Sequence, residues 1–108
     1  MNLLSRLQPQ LPTVDVEAAA TRRRGVLLLD VREADEWRSG HAPGAVHVPL
    51  GQLDPARLPA ADTVYVICRS GNRSAMATQV LLAAGLDAHN VAGGMGAWAR
   101  AGLPVELG

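Results

Sequence analysis

The sequence predicts an α/β fold, a small, doubly wound, mainly parallel sheet flanked by helices on both faces. Val26-Leu27-Leu28-Leu29 and Val64-Tyr65-Val66-Ile67 are unbroken apolar runs. That is the pattern of strands covered on both sides, not the alternation of a half-exposed sheet. Each run is followed by a few polar residues and a stretch of helical character that stops at a glycine, Gly40 in the first case and Gly85 in the second. Strand and helix therefore alternate, which is how parallel neighbours are connected.

Residues 1–12 hold Pro9 and Pro12 and show no period, so they read as an extended lead-in to one domain over residues 13–108. Thr13 to Val16 predicts a short edge strand. Asp15 is placed to cap a helix over Val16 to Arg24, with Glu17 in its first turn, Arg22, Arg23 and Arg24 in its last, and Gly25 as its stop. Val26 to Leu29 is a buried strand ended by Asp30. Val31 to Ser39, with Trp37 among charged residues, reads as a short helix closed by Gly40. Asp30 is read as its cap and Arg32 as the partner of a neighbouring carboxylate; both reach the site only if this strand lies beside that of Cys68.

Gly40-His41-Ala42-Pro43-Gly44-Ala45 is a turn leading into Val46-His47-Val48-Pro49, a short strand. His41 is placed as a turn residue bonded to backbone in preference to a base for a thiol; His47 is structural, and His89 shows no partner pattern. Leu50 to Pro59 is a proline-interrupted linker with one helical turn, and Thr63 to Ile67 is the central strand. Ser74 to Ala84 is a helix with an apolar stripe of Ala75, Met76, Val80, Leu81 and Ala84. Asp87 to Val91 suggests a last strand. Gly93-Gly94-Met95-Gly96 lacks the spacing of a phosphate loop and instead lets a helix around Trp98 start close to the sheet.

Composition narrows the function. Ten basic residues, all arginine, cancel ten acidic ones. This removes the field expected of a nucleic-acid or acidic-membrane binder. Residues 1–12 carry no signal-peptide core, and no apolar run approaches a membrane span, so the expected location is cytoplasmic. With aromatics at 3%, the core must be packed by aliphatic residues around Trp37, Tyr65 and Trp98. One cysteine forms no internal disulfide and has no resolving thiol in the chain. The three histidines lack zinc spacing with it, so neither metal nor cofactor is expected.

That cysteine ends the central strand, and Cys68-Arg69-Ser70-Gly71-Asn72-Arg73-Ser74 follows it directly into a helix. Such a loop aims successive backbone N–H groups at one spot, where the helix dipole adds positive potential. A thiolate is favoured there over a thiol. Bringing a thiol from about 8.5 to below about 6.5 takes roughly 2.7 kcal/mol, and a helix end supplies about 0.3 to 2 of it. The loop amides and Arg69 or Arg73 must supply the rest. A buried core cysteine is the competing reading, but a core position has no need of two guanidinium groups beside it. In open α/β sheets ligands bind at the carboxyl ends of strands, where Cys68 falls.

Three stretches together resemble the single-domain rhodanese family. They are Leu28-Leu29-Asp30-Val31-Arg32-Glu33 running on to Gly40-His41-Ala42-Pro43-Gly44-Ala45, the loop Cys68 to Ser74, and Gly93-Gly94 with Trp98 and Gly102-Leu103-Pro104-Val105. They span Thr13 to Glu106 in the right order; Ala42 stands where the family usually has a larger aliphatic residue. The resemblance implies a rhodanese-like sheet and a sulfurtransferase. Cys68 would take the outer sulfur of a donor such as thiosulfate, sulfite would leave, and an acceptor, cyanide or a thiol, would remove the sulfur from the Cys68 persulfide. The amides of Arg69, Ser70, Gly71, Asn72, Arg73 and Ser74 would hold the outer sulfur, with Arg69 and Arg73 attracting the anionic donor. Gly71 lets the loop curl without a Cβ clash.

The implied partners are a small anionic sulfur donor and a thiol acceptor or a persulfide-donor protein, without nucleic acid or membrane. A phosphatase or arsenate reductase is the rival on similar architecture, but its loop resembles Cys-x5-Arg, whereas Arg73 stands at Cys-x4-Arg with Ser74 next. No acidic residue lies in or just after the loop to protonate a leaving alcohol. A sulfur-relay or regulatory binding module is the third reading.

Overall fold

The computed structural model describes residues 11–108. Five strands form one sheet in the order β1-β5-β4-β2-β3, and every adjacent pair is parallel. They are β1 (Thr13–Val14), β2 (Val26–Asp30), β3 (Val46–His47), β4 (Thr63–Ile67) and β5 (Ala88–Val91). The α-helices are α1 (Val16–Ala20), α2 (Ala34–Ser39), α3 (Asn72–Ala83) and α4 (Gly94–Arg100). The predicted fold class is the observed one. The expected lead-in lies, up to Gln10, outside the described residues. No helix among the described residues is long and apolar enough to cross a membrane.

Alternate residues of β2 and β4 feed two cores, as strands covered on both faces must. Leu28 and Ile67 join Val16, Ala19, Met95 and Trp98 on the face of α1 and α4. Leu29, Val64, Val66 and Cys68 join Ala77, Leu81 and Ala88 on the face of α3.

Local differences from expectation have physical reasons. Asp15 does cap α1, accepting from Ala18 N at 2.8 Å, but the helix ends at Ala20, not Arg24. Thr21 Oγ1 donates to Glu17 O there, and Arg22 leaves the helix to donate to the carbonyls of Ala19 and Pro43, both at 2.9 Å. Helix α2 starts three residues later than expected, because Glu33 caps it and forms a capping box with Glu36. Asp30 caps nothing; it holds Arg32. The linker carries two 3₁₀ turns, Leu50–Gln52 and Pro55–Arg57, instead of one.

The stripe expected on α3 holds at Leu81 but fails at Met76 and Val80. Ser74, Ala77, Thr78 and Leu81 face the core, while Met76 is 58% and Val80 45% exposed. The inward polar residues are satisfied in place, Thr78 Oγ1 donating to Ser74 O at 2.7 Å.

Candidate active site

Strand β4 delivers Cys68 to the carboxyl edge of the sheet, between β2 and β5. The loop then wraps over the sulfur. Gly71 N donates to Cys68 Sγ at 3.1 Å, and Ser74 Oγ lies 3.2 Å from it. The side chain is fully covered. Burial pushes the thiol pKa up, but the Ser74 hydroxyl and the N–H groups of Ser74, Gly71 and Ser70 outweigh it, so the net shift is downward. The sulfur thus sits where a side-chain oxygen normally caps a helix, and Gly71 at the start of α3 has no other cap.

Gly71 has φ of 110°. A Cβ there would find Gly93 N at 3.6 Å, which is ordinary contact. The positive φ, not the clash expected from sequence, is what favours glycine at this position. Gly94 is tighter. With φ of 55°, a Cβ on it would press on the Cys68 carbonyl oxygen and lie 2.7 Å from the Arg69 carbonyl. The bare backbone instead lets Met95 N donate to Cys68 O at 2.8 Å and Gly96 N to Arg69 O at 2.9 Å. The glycine-rich segment therefore anchors the loop from behind.

The predicted site residues separate into distinct roles. Ser70, Gly71 and Ser74 present N–H or O–H groups to the sulfur. Asn72 is exposed at the start of α3, and its side chain makes no hydrogen bond among the described residues. Arg69 is exposed and makes no ion pair among the described residues. It lines a cleft of about 300 Å³ with Arg32, Glu36, Ser39, Met95 and Gly96. Arg73 is different, because its NH1 and NH2 donate to Glu36 Oε1 and Oε2 at 2.6 and 2.9 Å. Arg73, expected with Arg69 to attract an anionic donor, thus has its guanidinium paired with a carboxylate of α2.

Glu36 was not visible as a site residue, since 37 positions separate it from Arg73. It is fixed by a buried pair beneath it. Arg32 Nε and NH2 grip the Asp30 carboxylate at 2.8–3.0 Å, while NH1 and NH2 donate to Glu36 O and Gly40 O. Removing either partner would strand a buried charge. The Arg73 hydrogen bonds hold the Glu36 carboxyl at about 2. A depressed carboxyl stabilises the fold above its ordinary value and loses that contribution as pH falls through its folded value. Urea unfolding of the wild type is therefore expected to weaken from about pH 4.5 toward about pH 2. Glu36→Gln should flatten that portion of the curve.

None of the histidines reaches the sulfur. His41 Nδ1 donates to Trp37 O at 3.0 Å and its ring stacks on Trp37 at 3.5 Å, as a turn residue bonded to backbone. His47 Nε2 donates to Arg32 O at 2.7 Å. His89, expected to lack a partner, pairs with Asp87 at 3.0 Å. A residue the sequence did not single out lies closer to the chemistry. Asn90, on β5, has Oδ1 2.6 Å from Ser74 Oγ and Nδ2 3.2 Å from Gly71 O.

Comparison with known proteins gives this arrangement its relatives. A profile described as the rhodanese-like domain matches residues 14–101. Thiosulfate sulfurtransferase 16, chloroplastic, of Arabidopsis thaliana is 38% identical over 93 residues, covering 72% of this chain and 78% of that protein. Uncharacterized protein slr1261 of Synechocystis sp. is 43% identical over 83 residues, covering 74% of this chain, which spans only 46% of that relative's length. A crystal structure of a rhodanese-related protein from Thermoplasma volcanium superposes with a TM-score of 0.83 at 30% identity, over 90% of this chain and 99% of that one. The matched span runs from β1 through α4 and takes in the sulfur, its loop and the glycine anchor behind it. By this match the chain belongs to the rhodanese-like domain family.

Proposed function

We propose that the protein is a sulfurtransferase that carries sulfane sulfur on Cys68. The observation that carries this reading is the sulfur held at a helix start by Gly71 N and the Ser74 hydroxyl. The Cys68 thiolate attacks the outer sulfur of thiosulfate. A new S–S bond forms, the S–S bond of the donor breaks, and sulfite leaves with the electron pair. The negative charge now lies on the outer sulfur, where loop N–H groups stabilise it. Cyanide or a thiolate then takes that outer sulfur, and Cys68 departs as thiolate in a ping-pong cycle. The thiol is buried, so its surroundings must yield to admit the donor.

Arg69 is the candidate anion receptor, since it is exposed and lines the cleft while Arg73 is paired. Arg69→Gln is expected to raise KM for thiosulfate about tenfold with little change in kcat, as loss of one exposed charge-assisted contact predicts. Initial rates of thiocyanate formation against thiosulfate and cyanide test both points. Parallel double-reciprocal lines and the KM effect support the reading, whereas cysteine-dependent hydrolysis of an aryl phosphate without thiocyanate would replace it.

The phosphatase reading meets two obstacles. The arginine that would close an oxyanion cradle is Arg73, already bound by both oxygens of Glu36. The carboxyl bonded to the loop arginine is that of Glu36, and at about 2 it stays ionised and holds no proton for a leaving group at neutral pH. The relay-module reading shares Cys68 and differs in its donor. The Arabidopsis relative's name favours thiosulfate.

A further inference from the structure

The Ser74 hydroxyl has one proton and two acceptors competing for it. Asn90 Oδ1 is at 2.6 Å on one side and Cys68 Sγ at 3.2 Å on the other. The amide's orientation follows from its other end. Asn90 Nδ2 faces Gly71 O at 3.2 Å, and that carbonyl already accepts from Ala75 N at 3.1 Å. A flipped amide would set two carbonyl oxygens against each other, so Oδ1 faces Ser74 as an acceptor.

In the thiol state every group is satisfied: Cys68 S–H donates to Ser74 Oγ, and Ser74 O–H donates to Asn90 Oδ1. A thiolate has no proton to give and draws the Ser74 proton to itself, which leaves Oδ1 without that donor. Once Sγ carries a second sulfur, the charge moves to the outer atom and the Ser74 proton can return to Asn90. We propose that Asn90 is a positioning residue that withholds the Ser74 proton from Cys68, opposing the empty thiolate relative to both the thiol and the sulfur-loaded enzyme. The inference rests on the reading of Cys68 as sulfur carrier, and its test reads the thiol itself.

The charged groups on the elements near the sulfur include Arg73 of α3, paired with Glu36 of α2 and influenced by Glu33, the Asp30–Arg32 pair at the end of β2, and exposed Arg69 of the loop. None of them bonds to Asn90. Variants at Asn90 and Ser74 therefore leave that set in place.

The experiment is a titration of thiolate absorbance near 240 nm, checked by the pH dependence of iodoacetamide alkylation, on the wild-type chain, Asn90→Leu, Ser74→Ala and the double variant. Asn90→Leu is expected to titrate at lower pH, with about five- to tenfold more thiolate at a fixed pH below the midpoint, as release of one hydrogen-bond competitor predicts. Ser74→Ala should titrate at higher pH. In the Ser74→Ala background, Asn90→Leu should add no shift, because no proton is left to contest.

A purely structural Asn90 predicts the opposite sign, since a loosened Gly71 N–H would raise the midpoint. An upward or absent shift in Asn90→Leu overturns the proposal, as does an equal shift in both backgrounds. Should Asn90→Leu fail to fold, Asn90→Ala is subject to the same outcomes. Titrations that follow expectation in a protein that thiosulfate cannot load would uphold the role of Asn90 and remove the sulfurtransferase reading alone.

Discussion

Cys68→Ser is expected to reduce thiocyanate formation from thiosulfate and cyanide by about 10⁴-fold or more while leaving the fold intact. The hydroxyl can keep the hydrogen bonds from Gly71 N and to Ser74 that the sulfur now makes. It fills less of the pocket formed with Val66, Ala77 and Leu81, so the loss in stability should be about 1 kcal/mol. What disappears is the chemistry. The loop donors draw the thiol pKa downward and so favour a thiolate, whereas a serine hydroxyl is far too weak an acid to ionise, and an oxygen accepting sulfane sulfur would end in a weak O–S bond, not a persulfide. Thermal unfolding together with the thiocyanate assay separates the two effects. Full activity in the variant would locate the nucleophile elsewhere.

Gly94→Ala is expected to be the most damaging single-methyl change in the chain, destabilising by about 3 kcal/mol and carrying most of the activity with it. Two costs coincide. An L-residue is strained at φ of 55°, and the new Cβ would lie 2.7 Å from the Arg69 carbonyl and closer still to the Cys68 oxygen. Relief requires α4 to retreat from the loop. Met95 N and Gly96 N would then release the carbonyls of Cys68 and Arg69, and the peptide units that aim the loop amides would be free to rotate. Gly102→Ala is the control, with a similar φ of 69° and open space around the Cβ. It should cost about 1 kcal/mol and leave turnover unchanged. Urea unfolding of the two variants gives the comparison directly, and equal losses would mean that the contact with the loop is not what demands Gly94.

What the sequence made legible follows from how local each feature is. The strands Val26–Asp30 and Thr63–Ile67 announce themselves because a doubly covered strand has no polar face to interrupt it. The loop was readable because strand, sulfur, amides and helix start are contiguous from Val64 to Ser74. Even the anchoring role of Gly93-Gly94 was half visible, as a helix brought close to the sheet. Features set by distant partners were not. The Glu36 partner of Arg73 is one of these, since nothing near Arg73 in the chain foretells a carboxylate that α2 brings to the loop. Asn90 had no motif at all, and its meaning appears only where β5 runs beside β4 and reaches Ser74. The stripe on α3 was misread in part for a related reason. Its inward face includes Ser74 and Thr78, polar residues that hydrophobic periodicity counts as outward but that find partners inside.

On the proposed reading Cys68 accepts and releases one sulfur atom, which intact mass spectrometry reads directly. Wild-type protein incubated with excess thiosulfate and desalted is expected to gain about 32 Da, the mass of one sulfane sulfur on one thiolate, and to lose it again on addition of cyanide. A protein that gains no such mass, or that keeps the added mass after cyanide, would contradict the assignment of Cys68 as a sulfur carrier.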